Sequence, residues 1–192
     1  ESSFYAQFGI EVAYFGHPLL DEITNYKSIP KSKPRLDRPI LALLPGSRPQ
    51  ELAKKMPLML EAASKFEATH EIVVVCASSV PSTIYQQYVK GHHVVLSHAH
   101  TYDVLSKAEL ALVTSGTATL ETALFGVPQV VCYKGSTLSI WLARKLVKIK
   151  YISLVNLILD QKAVPELIQD ECTALLMQKE IEKLLPGQED RS

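Results

Sequence analysis

The sequence predicts an α/β fold built on a doubly wound, Rossmann-like parallel sheet. Short runs of apolar residues alternate along the 192-residue chain with segments of helical periodicity. These runs are apolar throughout rather than alternately apolar and polar, as is typical of parallel strands that helices cover on both faces. Because crossovers between parallel strands are right-handed, this alternation favours the doubly wound arrangement.

The apolar runs define the expected strands of the sheet. Strands are predicted at Ile40–Leu44, Ile72–Cys76, Val94–Leu96, Leu110–Val113 and Val130–Tyr133. The first two have the continuous apolar pattern of buried strands. A sixth strand is expected at Tyr151–Leu154. Ligands of such sheets bind outside the carboxyl ends of the strands, so the loops that follow these runs are the places where a site is expected.

Segments with apolar residues three or four positions apart separate the strands and predict helices. They are Glu51–Phe66, Pro81–Tyr88, Tyr102–Lys107, Ala118–Phe125 and Leu138–Lys148, with two more at Val164–Gln169 and Thr173–Leu185. Pro57 should bend or interrupt the first of them, because a proline lacks the N–H that a helix interior needs. Gly126, with Pro128 beyond it, should end the helix that begins at Ala118.

The N-terminal part of the chain differs from the rest. Leu19–Ile23 fits a short helix, and Lys27–Pro39 carries three prolines and five basic residues with little periodicity, which predicts a surface linker. The regular alternation of strands and helices begins only after it. We therefore expect the Rossmann-like domain at residues 40–163, followed by C-terminal helices over residues 164–192.

Composition narrows the functional classes. The chain has 20 Lys and Arg against 20 Asp and Glu, so it has no net positive charge that would attract nucleic acid. No nucleic-acid partner is therefore expected. Its three cysteines, an odd number at long spacings, indicate neither a disulfide framework nor a zinc site. Cys76 and Cys132 lie in apolar runs and fit small buried side chains. No apolar run reaches the roughly 18 residues that a membrane-spanning helix needs.

The loop after the fourth strand is the strongest candidate for an anion site. Ser115, Gly116 and Thr117 follow a buried strand and open a helix. The first N–H groups of a helix are unsatisfied, and the helix dipole favours negative charge there. The hydroxyls of Ser115, Thr117 and Thr119 could add donors. A plain helix cap is an equally ordinary reading, since Ser and Thr favour that position.

Glu121 points to a nucleotide rather than to a simple anion. It lies four residues after Thr117, on the same helix face. A carboxylate beside a phosphate site is unfavourable unless it has a partner of its own, and ribose hydroxyls are such partners in dinucleotide sites. The alternative is a solvent-facing glutamate, although the rest of this helix is rich in Ala, Leu and Phe.

The loop after the first strand supplies a cation. Gly46 permits a tight turn, Ser47 can cap the next helix, and Arg48 can grip a phosphate through two parallel hydrogen bonds. No Lys-Ser/Thr pair follows the glycine, so the loop is not a Walker A loop, and it is not a GxGxxG dinucleotide fingerprint. The loop therefore gives no support to a kinase or a dehydrogenase.

Three further features are ambiguous. His98 and His100, with His92 and His93 nearby, resemble a metal cluster. Their spacing matches no structural zinc pattern, so a place beside a nucleotide base is the better interpretation of this loop. A basic stretch with an aromatic residue favours either a membrane surface or a solvated helix face; it comprises Trp141, Arg144, Lys145, Lys148 and Lys150. Asn156 stands before an apolar run, where an asparagine is usually in a turn, and taken alone it indicates no function.

The motifs together resemble one family across nearly the whole chain. In order they are Phe15–Leu19 with Asp21, Leu43–Arg48, Ser115–Glu121, Trp141–Ala143 with Leu146–Lys148, Tyr151–Asn156, and Pro165–Leu167 with Gln169–Cys172. This series is similar to the C-terminal half of the lipid-A-disaccharide synthases, glycosyltransferase family 19. Each motif is weak alone, because several glycosyltransferases share Gly-Thr-x-x-x-Glu patterns, but their order is specific. Pro49 and the two histidines depart from the family pattern.

The resemblance implies the GT-B architecture, in which two Rossmann-like halves enclose the active site. This chain would be the half that binds the donor UDP-2,3-diacylglucosamine, and residues 1–26 would end the other half and cross over. The family transfers that sugar to 2,3-diacylglucosamine 1-phosphate with inversion, releasing UDP, at the cytoplasmic face of the inner membrane of Gram-negative bacteria.

The resemblance also implies roles for individual residues. Ser47, Arg48, Ser115, Gly116 and Thr117 would hold the diphosphate, with Arg48 stabilising the leaving group. Glu121 would hold the ribose. Asn156 and Glu166 match family positions near the donor.

The missing N-terminal half would supply the acceptor side and the general base, so the chain alone should be inactive. No Asp-x-Asp pair is present in the sequence, which fits a mechanism without metal or other cofactor.

Two other readings stay open. One is another UDP-sugar enzyme of the same architecture, such as a UDP-N-acetylglucosamine 2-epimerase. The other is a nucleotide-binding module that is inert by itself.

Overall fold

The computed structural model describes residues 5–13, 16–29, 38–135 and 150–188. The chain divides into two compact units, Glu1–Lys33 and Pro34–Ser192. In the first unit, helix α1 (Pro18–Ser28) begins where His17 Nδ1 accepts a hydrogen bond from the N–H of Leu19 at 3.2 Å. The short helix expected at Leu19–Ile23 is confirmed and is longer than expected, so the predicted linker begins inside it.

The second unit contains a six-stranded sheet in which every neighbouring pair of strands is parallel. The strands are β1 (Ile40–Leu44), β2 (Glu71–Val75), β3 (Val94–Ser97), β4 (Ala108–Thr114), β5 (Gln129–Tyr133) and β6 (Glu166–Ile168). Their order across the sheet is β3-β2-β1-β4-β5-β6. The predicted fold class, a Rossmann-like parallel α/β sheet, is confirmed.

Helices follow most of the strands, as the sequence predicts. They are α2 (Pro49–Ser64), α3 (Ser82–Tyr88), α4 (Thr101–Leu105), α5 (Thr117–Leu124), α6 (Leu154–Leu159) and α7 (Ala174–Leu184), with a 3₁₀ turn at Gln169–Glu171. Pro57 lies inside α2 without ending it. The helix expected at Leu138–Lys148 lies outside the described residues, as do Trp141, Arg144, Lys145 and Lys148.

Two predicted elements are wrong. Tyr151–Leu154 is not a strand: Ser153 caps α6, which begins at Leu154, and the N–H groups of Ile152 and Ser153 are bound by a carboxylate instead of a neighbouring strand. The helix expected at Val164–Gln169 is strand β6, which pairs with β5 and places the sixth strand later in the chain. Short apolar runs do not distinguish strands from helices by periodicity, which is why both elements were misassigned.

The sheet is covered on both faces by apolar side chains. Leu41 and Leu43 of β1 face one layer, in which α2 and α7 pack through residues such as Met56 and Met177. The intervening Ala42 faces the other layer, with side chains of α4 and α5 and the residues that follow them. Alternate residues of one strand point to opposite faces, so β1 contributes to both cores.

Leu43→Ala should lower the free energy of unfolding by roughly 2–5 kcal/mol, because Leu43 is fully buried and the surroundings cannot fill the cavity. Urea denaturation followed by circular dichroism measures this loss. The matched control is Leu175→Ala, since that leucine is exposed, and its change should stay within about 0.5 kcal/mol. Equal losses for the two variants would contradict the placement of β1 at the centre of the core.

Candidate functional site

A cleft of about 410 Å³ opens at the carboxyl ends of β1 and β4. These two strands are neighbours in the sheet, yet the helices that follow them, α2 and α5, pack on opposite faces. Their loops therefore diverge and leave a crevice at the point where the strand order reverses. The cleft is lined from these two connections by Gly46, Ser47, Arg48, Glu51, Thr114, Ser115, Gly116, Thr117 and Glu121.

The loop between β4 and α5 presents backbone to the cleft. Gly116 is the N-cap of α5, with φ 156° and ψ −164°, a backbone region that side chains disfavour. Because the N-cap residue is a glycine, it makes no side-chain hydrogen bond to the first turn of α5. The N–H groups of Thr117 and Ala118 precede the internal hydrogen bonds of the helix, so they are available to an anion in the cleft.

Two of the hydroxyls that were expected to donate to a ligand donate to the protein backbone instead. Ser115 Oγ donates to the carbonyl of Ile152 at 3.1 Å, and the Ser115 N–H donates to Cys132. Thr119 is fully buried and its Oγ1 donates to the carbonyl of Gly116 at 2.8 Å, so its expected role as a ligand donor is wrong. Thr117 is the exposed hydroxyl of the three.

Two other polar groups of β4 and α5 face the same cleft. Glu121 lines it from α5, four residues after Thr117, as the helix-face argument requires. Thr114, the last residue of β4, is 6% exposed, and within the described residues its Oγ1 has no hydrogen-bond partner. A buried hydroxyl without a partner costs free energy, so Thr114 is a further group that a ligand could satisfy. Sequence reasoning missed it because it reads as an ordinary strand residue.

The loop between β1 and α2 carries one cation and one anion. Arg48 is the N-cap of α2, and its side chain is 80% exposed. Glu51, in the first turn, accepts a hydrogen bond from the Ser47 N–H at 3.2 Å and lies 3.8 Å from Arg48 Nη1. Sequence reasoning missed Glu51, although a glutamate three residues after a helix cap is the mark of a carboxylate that folds back on the helix start.

Asn156 and Glu166 lie together but do not line this cleft. Asn156 is fully buried: its Oδ1 accepts from the N–H groups of Ala163 and Val164, and its Nδ2 donates to Glu166 Oε1 at 2.8 Å. Glu166 also accepts from the N–H groups of Ile152 and Ser153. Asn156 lies in α6 rather than in a turn.

This Asn156–Glu166 network reaches the cleft through one contact. The carboxylate fixes the backbone at Ile152 and Ser153, and the carbonyl of Ile152 accepts the hydroxyl of Ser115 at 3.1 Å. The network therefore supports, from the side away from the cleft, the β4–α5 loop that lines it. Its position near the donor site remains a prediction, whereas its structural role follows from the hydrogen bonds.

The histidines serve the local structure. His100 is the N-cap of α4, where its Nδ1 accepts from the Tyr102 N–H at 3.3 Å and its ring meets the Tyr102 ring edge-on. His98 Nε2 lies 3.5 Å from Ser82 Oγ. Within the described ranges, no three His, Cys, Asp or Glu side chains are grouped as a metal site would require. All three cysteines are buried and free, and the burial predicted for Cys76 and Cys132 is confirmed.

Two solved structures share this fold. CalG4, the calicheamicin glycosyltransferase, matches with a TM-score of 0.52 and 18% identity over 80% of this chain and 35% of that chain. A Listeria monocytogenes protein assigned as a UDP-N-acetylglucosamine 2-epimerase matches with a TM-score of 0.53 and 17% identity over 93% of this chain and 42% of its own. At these identities the likeness concerns the fold alone, and the chain has the architecture of one Rossmann-like half of the GT-B fold.

The sequence comparisons specify the family. The family model described as lipid-A-disaccharide synthetase matches residues 1–192. The lipid-A-disaccharide synthase of Solibacter usitatus is 33% identical over 100% of this chain and 52% of its own length. That of Anaeromyxobacter dehalogenans is 36% identical over 96% of this chain and 51% of its own. The chain belongs to the lipid-A-disaccharide synthase family, and it spans about half the length of these relatives.

Asn156→Ala should lower the free energy of unfolding by roughly 3 kcal/mol, because it removes the hydrogen bonds that the buried Asn156 amide makes with Ala163, Val164 and Glu166. Chemical denaturation measures the loss. Asn25→Ala, on the exposed surface of α1, is the control and should change stability by less than about 0.5 kcal/mol. A stability loss no larger than that of the control would show that the network does not support the fold.

Proposed function

We propose that the cleft binds the UDP group of a nucleotide-sugar donor, and that the chain is the donor-binding half of a lipid-A-disaccharide synthase. The observation that carries the proposal is the convergence of two helix starts, those of α2 and α5, on one cleft at the reversal of the strand order. Both helices begin without a side-chain cap at the N-cap residue. Two positive helix ends and one exposed arginine suit a ligand with two phosphates.

The diphosphate would lie between the two loops. The N–H groups that follow Gly116 would bind one phosphate, and Arg48 and the backbone at Ser47 would bind the other. As the bond between sugar and UDP breaks, negative charge grows on the leaving diphosphate. Fixed donors aimed at that charge stabilise the transition state, and they provide the positive charge that a metal ion gives in other transferases. We therefore expect donor binding to persist in EDTA.

The nucleoside would extend along α5. Glu121 is half-buried in the wall of the cleft, in reach of a ligand held at the start of its helix. A carboxylate accepts both hydroxyl protons of a ribose, and such a contact would account for an acidic side chain in an anion site. Thr114 Oγ1 supplies a further buried group at the floor of the cleft.

The whole reaction would need the part of the relatives that this chain does not cover. The proposed donor is UDP-2,3-diacylglucosamine and the acceptor 2,3-diacylglucosamine 1-phosphate, joined with inversion at the anomeric carbon. The general base would come from the other half, so the chain alone would bind donor without transferring the sugar.

Among the described residues no helix is both long and apolar enough to span a membrane. Peripheral association with the cytoplasmic face of the inner membrane is part of the proposal.

Isothermal titration should show that the chain binds UDP and that it binds ATP and NAD much more weakly. Arg48→Ala should weaken UDP binding roughly 10- to 100-fold, because a charge-assisted contact to phosphate is lost. Lys54→Ala removes the same charge from an exposed position of the same helix and should leave the affinity unchanged. Absence of UDP binding by the wild-type chain at millimolar concentration would overturn the proposal.

Glu121→Ala should weaken UDP binding about tenfold or more while changing pyrophosphate binding by less than about threefold, since pyrophosphate has no ribose. Titration of both ligands against the same protein preparation measures the two effects. Glu121→Gln retains one acceptor oxygen and should fall between alanine and wild type for UDP. Equal losses for UDP and pyrophosphate would remove the ribose assignment.

A further inference from the structure

The carboxylate of Glu51 lies at the place in the cleft where an anion would be expected. Its Oε2 accepts from the Ser47 N–H at 3.2 Å, and its Oε1 is 3.8 Å from the guanidinium of Arg48. A methyl group on Gly46, which has a φ of +117°, would clash with the same carboxylate. The β1–α2 loop is thus closed tightly around an acidic group of its own chain.

Glu51 also lies near a second cation. Lys55, one helical turn further along α2, is 3% exposed, and its burial lowers the pKa of its ammonium group while the nearby Glu51 carboxylate opposes that change. Residues four apart share a helix face, so Arg48, Glu51 and Lys55 line one side of α2. One carboxylate therefore offsets two positive charges and the positive end of the helix.

These are the groups that would attract a phosphate. One backbone N–H cannot donate a full-strength hydrogen bond to a carboxylate and to a phosphate at the same time. Two anions in one small site also repel each other. The side chain of Glu51 is 32% exposed, so it can rotate toward solvent without crossing the core. An incoming diphosphate and the carboxylate would compete for one position.

We infer that Glu51 is a built-in substitute for the diphosphate, an inference that rests on the proposed function of the cleft. With the site empty, its carboxylate keeps the β1–α2 loop in the conformation that binds an anion. When a diphosphate arrives, the carboxylate leaves the Ser47 N–H, and phosphate oxygens replace it. The exchange lowers the affinity for every phosphate ligand and selects those with enough charge to displace a carboxylate.

A simple helix cap makes a different prediction. If Glu51 only satisfied the Ser47 N–H, Glu51→Gln would retain an acceptor oxygen and leave ligand affinity unchanged. If Glu51 is the substitute anion, the same variant removes the competing charge while the loop remains supported. The affinity for phosphate ligands then rises, and the affinity for ligands without phosphate does not.

Titration of the 192-residue chain with pyrophosphate, UDP and uridine separates these cases. Glu51→Gln should tighten pyrophosphate and UDP roughly tenfold, on the scale of a charge at a helix start, and leave uridine unchanged. The control is Glu61→Gln, which removes the same charge from the distal half of α2 and should change none of the three affinities. Unchanged or weaker pyrophosphate binding by Glu51→Gln overturns the inference.

The outcomes distinguish this inference from the function on which it rests. UDP binding that is equal in wild type and Glu51→Gln overturns the role of Glu51 and leaves the proposed function standing. UDP and pyrophosphate binding absent from both proteins overturns both. Binding of UDP and pyrophosphate by both proteins, with tighter binding by Glu51→Gln, supports the inference and the proposed function together.

A structure of the wild-type chain with UDP gives a second test that does not depend on the folding of a variant. We expect a phosphate oxygen to accept from the Ser47 N–H and the Glu51 carboxylate to have moved beyond hydrogen-bond distance of it. A bound UDP with Glu51 still on the Ser47 N–H would overturn the inference.

Discussion

The reversal of strand order between β1 and β4 determines where this molecule can bind a ligand. The two strands are hydrogen-bonded neighbours, but the helices that follow them pack on opposite faces of the sheet. Nothing in the sheet itself fills the space between the two departing loops. The glycines, the hydroxyls and Arg48 owe their proximity to this one topological fact, since they lie about 70 residues apart in sequence.

The sequence alone predicted the features that depend on a few neighbouring residues. Apolar runs revealed the central strands, and small or polar residues after β1 and β4 identified the two loops that the structure brings together. Helix-face spacing correctly placed Glu121 beside Thr117. These inferences succeeded because a buried parallel strand and a helix start each have a signature within a few residues.

What the sequence did not reveal depends on partners far along the chain. The pairing of β6 with β5 joins segments about 35 residues apart, and nothing in Glu166–Ile168 alone distinguishes a strand from a helical turn. The hydroxyl of Ser115 is committed to Ile152, and Thr119 turns inward, so two expected donors serve the fold. Glu51 escaped notice because a first-turn glutamate is ordinary until its carboxylate is seen within the cleft.

The bond between Asn156 and Glu166 has an evolutionary consequence. Each polar atom of the asparagine amide already has a partner, and the carboxylate that it meets holds two backbone N–H groups of its own. A change at either position alone removes several of these hydrogen bonds, and such intermediates are selected against when stability is marginal. The two positions are therefore expected to covary among relatives or to remain fixed together, even where the residues that line the cleft diverge.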